Sequence, residues 1–312
     1  MIKIVITKEK KELVEEKYWE LIKKHSSIIK NLNKDSKKLK KLCPDLYGKN
    51  GKLEEESFKN LIFADKDQML DYIKKFKKGK KIELRKYFKF DLITRDDTLR
   101  SILKILDVPV CPYCNRQYTF TLEKEKVRPT LDHYFPKSEY PFLALSIWNL
   151  IPCCNICNLA KSAYNSATDT PILYPYKEGV EEDTIFHIQL KDNASVIKLI
   201  YGIENSFDVS VKDTEGELQQ QFNKQVSLLH LQGLYNEHKA YILKLLKNAY
   251  INSEDRIEYL YQNYSMLFDS IEDVKNLVYM NDIREEYLIQ NPLSKLTKDV
   301  IENLNIEFKN CL

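Results

Sequence analysis

The chain has 312 residues and a formal net charge of +3, with 43% hydrophobic and 30% charged residues. Its length allows a sizeable core in one large or two modest domains. Only 7 Gly and 10 Pro occur, while Lys, Glu, Leu, Ile and Tyr are abundant. This favours helices over a β-sandwich or barrel. No apolar run approaches the roughly 20 residues of a membrane span, and the apolar start is too short for a signal peptide.

The cysteines indicate a compartment. Seven are present, an odd number, and four of them form two Cys-x-x-Cys pairs. This pattern argues against a disulfide framework and is typical of an intracellular protein. We therefore expect a soluble, cytoplasmic protein with no membrane partner.

The charge is unevenly distributed. Residues 1–110 carry 29 Lys and Arg against 18 Asp and Glu, a balance of +11. Residues 111–176 carry 6 against 5, and residues 177–312 carry 14 against 23, a balance of −9. The basic first part, with dense runs at 34–41 and 74–81, predicts sequence-independent contact with a polyanion such as nucleic acid. The alternative is an ordinary solvated surface.

The N-terminal part is predicted to be mainly helical. Residues 2–6 alternate like a short strand, and apolar spacing predicts helices at 8–24 and 58–73. A further helix is predicted at 97–106, with Thr94 or Asp96 as its cap and Pro109 beyond its end.

The central part is predicted to run strand, loop, strand, helix. A knuckle and short hairpin cover 115–127, and strands are expected at 130–135 and 147–151 around the loop 136–146. A helix follows from residue 154 to about residue 165. In the last part, alternation predicts a three-stranded antiparallel meander at 186–190, 196–201 and 207–211. Helices are then predicted at 217–228, 237–250, 253–264, 271–278 and 297–304.

The predicted fold class is therefore α+β and predominantly helical. We expect three regions: a basic helical region at 1–110, a central module at 111–176, and a meander with an acidic helical region at 177–312.

Two cysteine pairs, Cys111/Cys114 and Cys154/Cys157, stand in the central module. Four thiolates can form one tetrahedral zinc site without an open position, so this zinc is predicted to be structural. Cys153 is an alternative ligand, because it could face the same way as Cys157. A redox role needs only one pair, so the presence of two favours metal binding.

Asp132 and His133 lie between the cysteine pairs. Adjacent strand residues point to opposite faces, so these side chains cannot reach the same atom. Asp132 can reach a metal on the helix side, where oxygen ligands suit Mg²⁺ or Mn²⁺. The neutral imidazole of His133 is suited to take a proton from water. The alternative for His133 is a buried structural histidine.

The central residues resemble the HNH endonuclease family in its zinc-stapled form. The matching pattern is Cys-x-x-Cys, Asp-His-x-x-Pro-x-Ser, Asn-Leu and Cys-x-x-Cys-Asn-x-x-Lys, in this order. Its positions here are Cys111, Cys114, Asp132, His133, Pro136, Ser138, Asn149, Leu150, Cys154, Cys157, Asn158 and Lys161. Residues 111–161 carry the specific resemblance. More loosely, YPFLALSIWNLIP and NPLSKLTKDVIENL resemble large bacterial HNH proteins of anti-phage defence.

The resemblance implies a ββα-metal fold and a role for each residue. His133 is the implied general base, and Asp132 with Asn158 is implied to hold a catalytic Mg²⁺ or Mn²⁺. Asn149 is implied to orient the histidine and hold the loop without touching the metal. Lys161, and more weakly Lys137, could contact nucleic acid. The alternatives are a surface amide for Asn158 and a solvated side chain for Lys161.

The sequence thus predicts a metal-dependent HNH endonuclease that acts on DNA as an effector of bacterial anti-phage defence. An ATPase or sensor protein is a possible partner, as in related systems. Two other classes stay open: a zinc-bearing nucleic-acid-binding module without catalysis, and a scaffold whose acidic C-terminal part docks a partner.

Overall fold

The computed structural model describes residues 1–76, 84–191, 194–212 and 216–309. This part of the chain is a mixed α and β structure in which helix predominates, with two small antiparallel sheets. The chain forms two compact units. The N-terminal unit comprises Ile4–Pro109 and Thr119–Lys177, and the C-terminal unit comprises Met1–Lys3, Val110–Tyr118 and the residues from Glu178 onward. The α+β, predominantly helical fold class is confirmed.

The helices of the N-terminal unit follow the apolar spacing of the sequence. Before residue 110 they include α1 Lys8–Lys24, α2 Ser26–Lys34, α3 Ser36–Leu42, α4 Glu55–Ile62, α5 Lys66–Lys75, α6 Phe90–Ile93 and α7 Asp97–Leu106. Two have the predicted bounds, α1 and α7, and they pack against each other. Asp96 caps α7 by accepting a hydrogen bond from the Thr98 amide, and Asp107 ends it with a φ of 52°. The predicted cap at Asp96 is confirmed.

The prediction of one helix at 58–73 is wrong. Two helices, α4 and α5, meet at Asp65, which starts α5 through a capping box. Its carboxylate accepts from the Gln68 amide at 2.9 Å, while the Gln68 side chain accepts from the Asp65 amide at 3.0 Å. These reciprocal bonds satisfy orphan amides at a helix start, so the chain begins a new helix there.

Residues 2–6 do not form the predicted strand. The amides of Ile2 and Ile4 donate to Pro112 O and Pro175 O respectively, so no ladder forms. The apolar residues Met1, Ile2 and Ile4 are buried. Of the two basic runs, 34–41 lies at the end of α2 and in α3, whereas 74–81 lies mostly outside the described residues.

A small sheet and one helix follow the predicted order in the central segment. Strand β1, Thr130–His133, pairs antiparallel with β2, Leu150–Cys153, so that His133 lies opposite Leu150. Helix α8, Asn155–Lys161, follows and packs against β1. The second strand starts later than predicted because Ile147–Asn149 forms a 3₁₀ turn. The helix ends earlier, since Ser162 has a φ of 49°.

Helix α1 fixes the loop between β1 and β2. The Tyr18 hydroxyl donates to Leu145 O at 2.9 Å, and Trp148 Nε1 donates to Glu15 Oε1 at 2.8 Å. From α4, Leu61 O accepts a hydrogen bond of 2.7 Å from the Ser146 hydroxyl. The basic helical region is therefore part of the scaffold that holds the central loop.

The C-terminal unit contains the second sheet and the remaining helices. Its elements are β3 Phe186–Leu190, α9 Val196–Tyr201, β4 Phe207–Val211, α10 Gln219–Leu228, α11 Leu231–Asn236, α12 Lys239–Ile251, α13 Glu254–Asn263, α14 Ile271–Val278 and α15 Ser294–Lys309. Strands β3 and β4 pair antiparallel with Phe186 opposite Val211. Among the described helices, none combines the length and apolar character that a membrane crossing requires.

The predicted three-stranded meander is wrong in its middle strand. Residues 196–201 form helix α9 instead. The Ser195 side chain accepts from the Lys198 amide, and Gly202 ends the helix with a φ of 71°. A serine cap and a left-handed glycine are the start and stop signals of a helix, and they override the β propensity of Val196 and Ile197.

A four-cysteine cluster and a buried Asp-His pair

Four cysteines come together as predicted. The sulfurs of Cys111, Cys114, Cys154 and Cys157 lie within 4.8 Å of one another, and all four residues are buried. A tetrahedral zinc site with Zn–S bonds of about 2.3 Å has sulfur–sulfur edges of about 3.8 Å. The cluster can hold a metal ion, and a donor set of four thiolates fits zinc.

The alternative ligand Cys153 does not belong to this cluster. Its sulfur lies 3.5 Å from the Thr130 hydroxyl, and the residue is buried. Cys154 is instead placed at the cap of α8, where its sulfur accepts from the Cys157 amide at 3.4 Å. The structure thus brings Cys154, and not Cys153, into the cluster, while the role of Cys154 as a zinc ligand remains a prediction.

Asp132 is buried and faces α8. Its two carboxylate oxygens lie 3.1 and 3.0 Å from the ammonium nitrogen of Lys161, which also donates to His133 O at 2.8 Å. The side chain of Lys161 is 0% exposed and that of Asp132 is 3% exposed. Lys161 therefore balances a buried carboxylate in this structure, while its predicted contact with nucleic acid remains a prediction.

The pair of Lys161 and Asp132 gives a prediction on stability. We expect Lys161→Met to lower the free energy of unfolding by about 3–5 kcal/mol, because it removes the ammonium group that balances the buried charge of Asp132. The double variant Asp132→Asn/Lys161→Met should lose less free energy of unfolding than the single variant, since both of its buried side chains are neutral. Urea denaturation of both proteins measures the difference. Equal losses in the single and double variants would show that the charge pair is not the cause.

His133 is held as a neutral ring with a defined tautomer. Its Nε2 lies 3.1 Å from Ala144 O. A carbonyl oxygen only accepts, so Nε2 carries the proton and Nδ1 keeps a lone pair. Burial lowers the pKa of His133 to about 3, with smaller contributions from Lys137 and Lys161 and an opposing one from the Ala144 hydrogen bond. The imidazole therefore stays neutral at physiological pH.

The surroundings of His133 differ from those of Asp132, as expected for adjacent strand residues. The imidazole packs edge-on against Phe90, with ring centres 4.6 Å apart, while Asp132 contacts α8 through Lys161. The sequence did not single out Phe90 or Ala144. Phe90 lies far before the motif, and Ala144 contributes only a backbone oxygen. The sequence around the motif therefore gives no sign that either residue contacts the histidine.

Asn149 ties the two ends of the loop together. Its Oδ1 accepts from the Phe135 amide at 2.8 Å. Its Nδ2 donates to Phe135 O at 3.0 Å and to Leu143 O at 3.1 Å. Leu143 precedes Ala144, the residue that holds the histidine. Asn149 is thus placed to hold the loop, in line with its predicted role.

Asn149 therefore matters for stability. We expect Asn149→Ala to lower the free energy of unfolding by about 3 kcal/mol, because buried backbone groups left without a partner cost about 1–3 kcal/mol each. Asn155→Ala is the matched control, since Asn155 is exposed at the start of α8. Chemical denaturation compares the two variants, and similar midpoints would contradict the proposed role of the amide.

Asn158 and Lys137 complete the predicted site. Asn158 is half-buried on α8, where its backbone N–H donates to Cys154 O at 3.1 Å. Lys137 is exposed, and its ammonium lies 4.9 Å from the centre of the Phe90 ring. The metal-ligand role of Asn158 and the nucleic-acid contact of Lys137 remain predictions.

Comparison with known proteins gives no independent assignment. No protein-family model matches the chain, no curated protein matches its sequence, and no solved structure matches its fold. The case for function rests on the residues and their geometry.

Proposed function

We propose that the protein is a metal-dependent endonuclease of the HNH type that hydrolyses phosphodiester bonds in DNA. The proposal is supported above all by the arrangement of His133, whose neutral ring has its tautomer fixed by Ala144 O and which follows the buried Asp132 directly on β1. A fixed tautomer leaves Nδ1 as the proton acceptor. Such an acceptor beside an oxygen ligand for a metal suits hydrolysis of a phosphodiester.

In this proposal His133 is the general base. Nδ1 takes a proton from the attacking water, while the hydrogen bond from Nε2 to Ala144 O holds the ring in place. The ring is neutral before the reaction because burial disfavours its charged form. A phosphodiester bound nearby favours the protonated ring, so the pKa of His133 rises when substrate binds.

Asp132 and Asn158 are the proposed ligands of a Mg²⁺ or Mn²⁺ ion. A carboxylate and an amide oxygen are suitable donors for either ion. The ammonium of Lys161 already contacts both oxygens of Asp132, but a carboxylate has about four lone-pair sites and can accept more than one partner. When bound, the ion stabilises negative charge on the phosphate and on the leaving 3′ oxygen.

The four-cysteine cluster has a structural role in this account. Four thiolates leave zinc without an open position for substrate, so zinc there contributes to folding and does not take part in the reaction. The looser resemblance to anti-phage proteins supports a role as a defence effector. An ATPase or sensor protein is the corresponding proposed partner, and gel filtration of the two proteins together tests it.

The second candidate is a zinc-bearing nucleic-acid-binding module without catalysis. The cysteine cluster and the basic first part of the chain support this binding module as well as they support the nuclease. A binding module, however, has no need for a buried histidine whose tautomer is fixed, or for a buried carboxylate at the preceding position of the strand.

A substrate panel separates the two candidates. The wild-type protein is incubated with supercoiled plasmid, linear duplex, single-stranded DNA and RNA, with Mg²⁺ or Mn²⁺. The proposal expects cleavage of DNA with 5′-phosphate and 3′-hydroxyl ends. Salt-sensitive binding of the same nucleic acids without cleavage would favour the binding module.

A further inference from the structure

A basic cleft lies beside His133 in the N-terminal unit. Its cavity volume is about 260 Å³. It is lined by residues from two stretches of chain, the one around α6 and the loop after β1. Those that matter here are Arg85, Lys89, Phe90, Asp91, Lys137 and Ala144.

Two lining residues connect the cleft with the histidine. Ala144 accepts the hydrogen bond from His133 Nε2 at 3.1 Å. Phe90 contacts the imidazole with ring centres 4.6 Å apart, and the same phenyl ring has the Lys137 ammonium 4.9 Å from its centre. The positive charge of Lys137 and the imidazole of His133 thus contact one ring.

The cleft has an excess of positive charge. Arg85, Lys89 and Lys137 are exposed cations, and Asp91 is the acid among the lining residues, so the formal balance is +2. Within the described part of the chain, none of these three cations forms an ion pair with a carboxylate. Arg85 Nη2 donates to Ser138 O at 3.0 Å. A guanidinium has five N–H donors, so most of them stay available to a ligand.

The chemistry of the lining favours phosphate over a base as the ligand. Phe90 is only 9% exposed, and its ring packs against His133 and lies close to Lys137, so it offers little face for base stacking. Arg and Lys side chains bind phosphate oxygens irrespective of sequence. A volume of about 260 Å³ suits one backbone unit and is too small for a duplex.

We infer that Arg85, Lys89 and Lys137 bind the phosphodiester backbone of the nucleic-acid strand next to the bond that is cleaved. This inference rests on the proposed function, since it places the strand beside His133. Arg85 and Lys89 lie outside the motif and outside the two basic runs. The basic region therefore supplies its part of the substrate-binding site through the short stretch just before α6.

The test compares two double variants with the same change of charge. Arg85→Gln/Lys89→Gln removes two cleft cations. Arg95→Gln/Lys104→Gln removes one Arg and one Lys that are also exposed and do not line the cleft. Binding of labelled single-stranded and duplex DNA is measured by fluorescence anisotropy over a range of salt concentrations, without added Mg²⁺ or Mn²⁺. Plasmid cleavage with added Mg²⁺ is measured separately on the same preparations.

We expect the cleft variant to bind about tenfold more weakly, and the slope of log K against log salt to decrease by about 0.7–0.9 for each lost phosphate contact. The control variant should keep nearly the wild-type affinity. Equal binding by the two variants, or no binding by the wild type, would overturn the inference. Binding that depends on the cleft in a protein that never cleaves DNA would refute the nuclease proposal and leave the cleft as a backbone-binding site.

Discussion

Replacing Cys157 by serine is expected to remove the bound zinc and abolish cooperative thermal unfolding. Cys157 is buried within the four-cysteine cluster. Structural zinc sites contribute about 10–16 kcal/mol of apparent binding free energy, whereas the whole stability of a domain is about 5–15 kcal/mol. Loss of one thiolate, and with it the zinc, therefore removes a free energy comparable with the whole free energy of unfolding of a domain. Zinc content by mass spectrometry and a calorimetric melt measure both effects.

Cys153→Ser is the matched control for this experiment. Cys153 is also buried and lies in the same segment, but its sulfur is outside the cluster and near the Thr130 hydroxyl. A serine there can keep that contact, so the variant should retain one zinc per chain and a cooperative melt. If Cys153→Ser loses zinc while Cys157→Ser keeps it, the ligand assignment is wrong.

His133→Asn is expected to reduce the rate of metal-dependent cleavage by about 10²–10⁴-fold, the contribution typical of a general base. Asparagine cannot take a proton from water, and its shorter side chain does not reach Ala144 O as Nε2 of the histidine does. The loss should therefore appear in kcat more than in KM. Single-turnover cleavage of plasmid DNA at saturating enzyme measures the chemical step.

His230→Asn provides the same exchange away from the site. His230 is exposed and has a φ of 53°, a conformation that asparagine tolerates. This variant should cleave at the wild-type rate. Similar rates for His133→Asn and the wild type would mean that another group activates the water.

Local signals explain why part of the fold could be predicted from the sequence. Helix α7 could be predicted because two local signals bound it: Asp96, which caps its start, and Pro109, which lies just beyond its end. Each Cys-x-x-Cys pair is also a local signal, because its spacing lets two sulfurs bind one metal. That the two pairs belong to one site followed from the need of zinc for four ligands and not from either segment alone.

Other features depended on competing or distant interactions. At 196–201 the alternating pattern predicted a strand, but Ser195 and Gly202 cap a helix there. At Asp65 a capping box divides one apolar pattern into two helices. The burial of Lys161 against Asp132 and the support of His133 by Phe90 and Ala144 are tertiary contacts, and spacing along the sequence does not encode them.

In the proposed mechanism a divalent ion other than the structural zinc enables hydrolysis of DNA, and a metal titration shows whether it does. Zinc-loaded wild-type protein is freed of other ions by gel filtration, and nicking of supercoiled plasmid is followed as Mg²⁺ or Mn²⁺ is added. We expect no cleavage at the start, saturable cleavage as the ion is added, and an unchanged zinc content. Cleavage that needs no added ion, or no cleavage at any concentration of either ion, would contradict it.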